Sequence, residues 1–367
     1  MIHAGLNINF KNNENKLAFN QCCLSTRSLT YVVDPKKIWL SKELLELRNK
    51  NDNNVWDEGC WECERLENGQ YKSFRNSMIE RLGINKNVSG PSRIDFLFDR
   101  SCNLACINCG PNASTFWQKH LSDNKIPSFK YDNTSTYEQL VDVIDNLDLS
   151  NLTTIQFCGG EPMISNAYWK IADLILHKIP NAVEKVDMAI NTNGTQKLNE
   201  KHLRIIEKFR LVKFIISIDG TKDKFEYLRW PAKWNHLLDN LTEYKEKLPV
   251  NVMFMIQEVI NPLNLYSFDE VKKWAANDFS TNRLGDPIDY NFQLSMNDNL
   301  NVNFITEKYY QNLNKEIKPV LDNNWQEIAA HIKRMIEYLD KFDKIRNLSW
   351  VKTFPEVAEF YSGYLNK

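Results

Sequence analysis

The sequence predicts an α/β protein built on a parallel sheet, because short β-rich runs alternate with helix-length amphipathic stretches from Arg93 onward. Two further observations shape that expectation. A cysteine-bearing stretch over residues 1–90 stands outside the alternation, and the chain after residue 294 turns mainly helical.

With 367 residues there is room for two or three domains, or for one large domain with appendages. A hydrophobic content of 43% beside 25% charged residues allows a sizeable core. The 46 basic residues nearly balance the 47 acidic ones, which argues against general nucleic-acid binding, though not against a local basic patch. Met1 to Phe10 carries neither the charged nor the apolar segment of a signal peptide. The longest apolar runs, such as Phe214 to Ile218, are strand-sized and far too short for a membrane span. The expectation is a soluble cytoplasmic protein with no membrane partner. Its eight cysteines then sit in a reducing compartment, and seven of them are grouped, so they read as metal ligands before disulfides.

The predicted strands are Arg93–Phe98, Thr153–Cys158, Lys185–Asn191, Val212–Ile218, Asn251–Gln257 and Ile288–Leu294, rich in Ile, Val, Phe and Met as expected for strands covered on both faces. Ser135-x-x-Glu138 is a capping box for a helix carrying Leu140, Val143, Ile144 and Leu147 on one face. Ala167–His177, Asn199–Phe209, Ala232–Tyr244 and Phe268–Ala275 repeat the helical pattern, and Trp325–Lys341 is an amphipathic helix of the last region. Six β–α alternations give an open doubly wound sheet or a partial barrel, with the chemistry at the carboxyl ends of the strands. Asn85–Pro91, with Ser89-Gly90-Pro91, is the best linker candidate. The division is therefore 1–90, a small metal-stapled module; 91–294, the β/α region; and 295–367, a helical extension.

Cys102-x3-Cys106-x2-Cys109 directly follows the first predicted strand. Three thiolates in one loop can wrap a single metal site. Four cysteines usually complete a cubane cluster, so three leave one iron free. An open coordination position is what separates reactive from structural metal sites, by the logic known for zinc. On spacing alone, a zinc site completed by a distant Cys or His is the alternative. The next three strands each end in a polar, glycine-bearing tip: Cys158-Gly159-Gly160-Glu161-Pro162, Asn191-Thr192-Asn193-Gly194 and Ser217-Ile218-Asp219-Gly220. Paired glycines let backbone approach a ligand, Glu161 can accept from an ammonium group, and Asn193 can meet a hydroxyl pair. Each tip alone reads as a turn; three on one rim with the cysteine triad do not read as independent turns.

Taken together, the cysteine triad, Gly159-Gly160-Glu161-Pro162, Thr192-Asn193-Gly194 and Ser217-Ile218-Asp219-Gly220 resemble the successive motifs of the radical S-adenosylmethionine (SAM) superfamily over residues 93–294. The resemblance implies a partial (β/α)6 barrel. It implies a [4Fe–4S] cluster on Cys102, Cys106 and Cys109, with SAM chelating the open iron. Ile107 would lie beside the adenine, Gly159, Gly160, Glu161 and Pro162 would receive the SAM amino group, Asn193 would face the ribose, and Ser217 and Arg229 would stand near the carboxylate. One electron, from a donor such as flavodoxin or ferredoxin, would cleave SAM to a 5′-deoxyadenosyl radical that abstracts hydrogen from substrate. The cofactor carries that chemistry and the protein orients the partners.

Cys22-Cys23 and Cys60-x2-Cys63 could make a second four-thiolate site, an iron–sulfur cluster or a zinc staple. With Arg65, Glu67, Gly69 and Ser73-x-Arg75 they resemble the auxiliary-cluster module of the SPASM/twitch branch, here placed before the barrel. The earlier cysteine that many such chains carry upstream of the pair has no counterpart in Met1 to Asn9. That branch often modifies peptides, so a peptide or protein side chain is the first substrate class. A nucleoside, sugar or other small metabolite is the second, and a non-enzymatic zinc or iron–sulfur module is the third reading. The six histidines lie in no motif; Cys158, Trp117, Trp230 and Trp234 are core residues first, the tryptophans with a cleft as the alternative.

Overall fold

The computed structural model describes residues 5–365 except 12–15, 23–24, 26–29, 32–33, 71, 83–88, 130–136, 282–284, 286, 296 and 322–324. The strands are β1 (Gly5–Lys11), β2 (Lys16–Asn20), β3 (Thr30–Tyr31), β4 (Arg93–Leu97), β5 (Thr154–Phe157), β6 (Asp187–Thr192), β7 (Leu211–Ser217), β8 (Val252–Ile260) and β9 (Asp289–Leu294). The helices before β7 are α1 (Lys42–Asp52), α2 (Trp61–Asn68), α3 (Phe74–Leu82), α4 (Thr115–Asp123), α5 (Tyr137–Asn146), α6 (Asn166–Lys178), α7 (Ala182–Lys185) and α8 (Glu200–Ile206). After β7 come α9 (Lys222–Leu228), α10 (Trp234–Lys247), α11 (Asp269–Asp278), α12 (Glu307–Gln311), α13 (Lys318–Leu321) and α14 (Ala329–Arg346). Three short helices close the chain: α15 (Trp350–Thr353), α16 (Pro355–Phe360) and α17 (Ser362–Leu365). No helix of the described residues is long and apolar enough to cross a membrane.

The six predicted strands fall on β4 to β9, and the predicted helices between them are present, so the α/β class holds. The chain gathers into two compact units. The first holds Met1–Ser101, Lys130–Asn191 and Asn199–Lys213. Its strand order is β3-β2-β1-β4-β5-β6. β1 joins β4 in parallel, from Gly5 opposite Arg93 to Asn9 opposite Leu97, and β4, β5 and β6 continue in parallel. β2 returns antiparallel to β1, as β3 does to β2. These first three strands are not among those predicted. β1 does alternate: Leu6 and Ile8 are fully buried. Asn7 between them is itself buried, where alternation alone reads a polar outer position, and asparagine is a poor strand former.

Local chemistry sets the helix starts. Ser41 Oγ accepts from Leu44 N at the start of α1, and Asn199 Oδ1 accepts from His202 N at 2.9 Å at the start of α8. α5 buries Leu140, Val143 and Ile144 as its periodicity predicts; Ser135 of the capping box lies outside the described residues. Of the linker candidate, residues 85–88 also lie outside them, whereas Gly90 packs so closely on Asp148 that an added Cβ would sit 1.8 Å from its carbonyl oxygen.

The second unit holds Cys102–Phe129, Thr192–Leu198 and Phe214–Lys367, with strand order β7-β8-β9. β8 and β9 pair in parallel from Met255 opposite Asp289 to Ile260 opposite Leu294. β8 runs three residues past its predicted end because Glu258, which reads as a polar stop, is fully buried within the strand. The helix predicted over Trp325–Lys341 starts later and ends later, at Ala329–Arg346. Trp325 instead stacks on Tyr310, with ring centroids 4.2 Å apart. The helix continues because Phe342 and Arg346 extend the buried stripe of Ile332, Met335, Ile336 and Leu339, and it stops at Asn347 in the left-handed region (φ 53°). One core joins these carboxy-terminal helices to the residues around the cysteine triad: Ala105, Ile107 and Trp117 share it with Leu339, Phe342 and Trp350.

Candidate cluster and cofactor site

Cys102, Cys106 and Cys109 occupy one loop of the second unit, half-buried, buried and exposed respectively, and none of the three is in a disulfide. Backbone pairing fixes that loop. Ala105 N donates to Trp230 O and Ile107 N to Leu228 O, each at 2.8 Å, so that Cys106 falls opposite Arg229. Trp117 Nε1 donates to Cys106 O at 2.8 Å, and Thr115 Oγ1 meets both backbone polar atoms of Cys102 at 3.2 Å. Trp117 is thereby a core residue that holds the loop. Trp234, buried against Phe225 and Trp274, is core as well.

Arg229 is buried and its Nη2 lies 2.9 Å from Asp219 Oδ2, while Asp219 Oδ1 accepts from Val259 N at 2.8 Å. Burial alone would lower the Arg229 pKa. The Asp219 carboxylate and the Cys106 and Cys109 thiols outweigh that and hold it above its ordinary value. Arg229 Nε has no hydrogen-bond partner. A hydrogen bond with Cys109 pulls the Cys106 pKa down against burial, helped by the charges of Arg229 and Arg346. The same pairing raises Cys109.

Asn193 is buried in the second unit and its amide is engaged. Its Oδ1 accepts from Thr195 N at 2.9 Å and Thr195 Oγ1 at 2.6 Å, and its Nδ2 donates to Asn103 Oδ1 at 2.9 Å. Asn103, between the first two cysteines in sequence, also donates to Thr195 Oγ1 at 2.8 Å. Gly194 turns the tip at φ +71°. Ser217 ends β7 and is half-buried. Ile107 is fully buried, and its carbonyl accepts from Tyr338 Oη at 3.0 Å.

Gly159, Gly160, Glu161 and Pro162 lie in the first unit, where both glycines have positive φ, 80° and 54°. A Cβ on Gly160 would lie 2.6 Å from Ser101 O and 2.9 Å from Arg100 C. Glu161 N donates to that same Ser101 O at 2.7 Å, so the tip is laced to the strand end that precedes the cysteines in sequence. Glu161 is fully buried and its Oε1 accepts from Met163 N at 3.0 Å; Pro162 O accepts from Trp169 Nε1 at 2.9 Å. Cys158 is half-buried with its Sγ 3.6 Å from Asn191 Oδ1, and burial pushes its pKa up.

Also in the first unit, Cys22, Cys60 and Cys63 come within electrostatic reach of one another, and burial raises the pKa of Cys60 and of Cys63. Gln21 Nε2 lies 3.8 Å from Cys60 Sγ. Cys23 lies outside the described residues. The neighbouring motif residues assemble: Ser73 Oγ donates to Glu67 Oε1 at 2.5 Å, Arg75 Nε donates to the same oxygen at 2.9 Å, and Arg75 pairs with Glu67 through a second contact. The Arg75 guanidinium lies over the Trp56 ring at 4.5 Å.

Residues 97–262 match the family model of the Radical SAM superfamily. That stretch of the chain is similar to a radical SAM domain. Among curated proteins, an uncharacterized protein of Methanocaldococcus jannaschii is 30% identical over 188 residues, 51% of this chain and 59% of the relative. The GTP 3′,8-cyclase of Clostridium botulinum is 25% identical over 175 residues, 47% of this chain and 50% of the relative. The chain thus spans little more than half the length of these relatives. Among solved structures, anSMEcpe with bound AdoMet has a TM-score of 0.39 at 18% identity, over 70% of this chain and 59% of that chain. Streptococcus suis SuiB bound to S-adenosylmethionine has a TM-score of 0.39 at 14% identity, over 98% and 76%.

Among the described residues, no three His, Cys, Asp or Glu side chains are gathered tightly enough for a single metal ion. Three thiols on one loop, none of them in a disulfide, are the donor set that a [4Fe–4S] cluster takes, and the buried Arg229 with its unpartnered Nε would face such an anionic group.

Sequence reasoning missed the residues that brace this loop from far along the chain: Tyr338, Arg346 and Asn297, whose Nδ2 lies 3.4 Å from Ile107 O. One signal was available. Arg346 falls on the apolar stripe of α14, where a charged residue is out of place.

Proposed function

We propose that this chain is a radical SAM enzyme in which Cys102, Cys106 and Cys109 hold a [4Fe–4S] cluster and SAM completes the coordination of its open iron. When bound, the cluster and SAM together supply a 5′-deoxyadenosyl radical for hydrogen abstraction. The observation that carries the reading is the pairing of residues 105 and 107 with 230 and 228, which sets a buried guanidinium opposite the central thiol of the triad. The chain's own part is to bind and orient. Arg229, steadied by Asp219, would face the anionic side of the site; Gly159 and Gly160 would admit backbone close to the SAM amino group, with Glu161 and Pro162 shaping that tip. Asn193 would turn from its Thr195 and Asn103 partners to the ribose, Ile107 would flank the adenine, and Ser217 would meet the carboxylate.

Cys22, Cys60 and Cys63, with Cys23, would hold an auxiliary iron–sulfur cluster of SPASM/twitch type. Support comes from the clasp of Glu67, Ser73 and Arg75 beside these thiols. That module makes a peptide or protein side chain the favoured substrate, and a flavodoxin or ferredoxin the electron donor. The second reading, a nucleoside or other small metabolite, is favoured by the curated relative named for a reaction of GTP.

Anaerobic reconstitution tests both cluster assignments at once. The expected protein holds about eight irons and, with dithionite, cleaves SAM to 5′-deoxyadenosine. A preparation that retains zinc, takes up no iron and leaves SAM intact would overturn the reading.

A further inference from the structure

The guanidinium of Arg346, at the end of α14, is buried in the second unit within reach of the cysteine loop. Its Nη2 donates to Ala105 O at 2.9 Å, one residue before Cys106. Its carbon lies 4.8 Å from the ring centroids of Trp117 and Trp230 and 5.0 Å from that of Phe342. Those rings fix its position through cation–π contact and packing.

The two arginines near Cys106 differ in one respect. Arg229 is offset by Asp219 at 2.9 Å. Arg346 has no carboxylate at ion-pair distance among the described residues; Asp343, one turn back, accepts from Trp350 N at 2.6 Å instead. A buried cation without a counter-ion is costly, several kcal/mol on general grounds. Desolvation outweighs the attraction of Asp343 and of the nearby Tyr338, Tyr227 and Cys106, and lowers the Arg346 pKa to about 10. The cost is relieved when an anion occupies the loop beside it. Three thiolates on a [4Fe–4S]2+ core carry a net negative charge, and one-electron reduction adds another.

We infer that Arg346, supplied by the carboxy-terminal helices, is a positioning residue that shapes the Cys102–Cys109 loop and, by its fixed positive charge, raises the reduction potential of the cluster held there. Cluster potentials respond to nearby net charge, hydrogen bonding and solvent exposure, and a buried cation acts with little screening. The reduction in question takes one electron from an external reductant, dithionite in the experiment below, and puts it on the cluster; no bond in the protein is made or broken. The inference rests on the cluster assignment made above.

The test is an EPR-monitored redox titration of the reconstituted full chain, its Arg346→Gln variant and its Arg346→Lys variant, each assayed for iron. A parent that binds no iron at the triad sinks the cluster assignment itself. With a loaded parent, the expected result is a more negative midpoint potential in Arg346→Gln and a near-parental one in Arg346→Lys, which keeps the charge. A loaded Arg346→Gln with the parental potential overturns the inference. Where Arg346→Gln does not fold or load, Arg346→Lys decides: a retained cluster at the parental potential supports the charge, and loss of the cluster there reduces Arg346 to packing.

Discussion

Arg229 and Asp219 form an ion pair, Nη2 to Oδ2 at 2.9 Å, in which both side chains are nine-tenths buried or more. The Asp219 carboxylate is also tied to β8 through Val259 N. Removing one member of such a pair leaves the other charged and desolvated. Asp219→Ala should therefore destabilise the protein by about 3–5 kcal/mol. Denaturant unfolding measures this, and a loss below about 1 kcal/mol would mean that water reaches the pair.

Cys106→Ser should fold with the parental circular dichroism and lose about half of the reconstituted iron, with no SAM cleavage. Cys60→Ser should lose about the other half and keep the SAM-binding cluster. Iron analysis with EPR separates the two. Equal iron in both variants and the parent would dissolve the two-cluster assignment.

Gly160 and Gly285 both have positive φ, but their surroundings differ. A Cβ on Gly160 would strike Ser101 O, whereas one on Gly285 would meet nothing within 4 Å. Gly285→Ala should cost only the backbone term, about 1–2 kcal/mol. Gly160→Ala should cost more than that and weaken SAM binding, because the obstructing atoms are backbone and cannot rotate away. Thermal unfolding and equilibrium dialysis of SAM give the two readouts.

Glu258 is fully buried on β8; burial raises its pKa well above the usual 4.5 although Tyr290 Oη donates to its Oε2 at 2.5 Å. A carboxyl whose pKa is higher in the folded state contributes stability that is fully present below the unfolded value and is lost as the pH rises through the folded value. Glu258→Gln fixes the neutral form. The variant should be more stable than the parent at pH 8, and the difference should shrink as the pH falls toward 4.5. A difference independent of pH would exclude a titrating Glu258.

Much of this design is written locally. The strands β4 to β9, the helices between them and the cysteine triad are legible because apolar periodicity, capping residues and short spacings act over a few residues. The tips Gly159–Pro162 and Asn193–Gly194 are legible for the same reason: positive φ at a strand end demands glycine. The early strands were less so, since β1 is held by a partner, β4, more than eighty residues away, and its asparagines weaken the local strand preference.

The sequence by itself determined the α/β class, the grouping of thiols and the order of the polar strand tips, because each follows from near neighbours along the chain. The tertiary structure alone decided which groups surround those thiols. Cys106 meets Arg229 through backbone pairing and comes within reach of Arg346 through a helix 240 residues further on, buried among Trp117, Trp230 and Phe342. Such contacts arise from the burial of one shared apolar core, and the residues it brings together leave no common spacing to read.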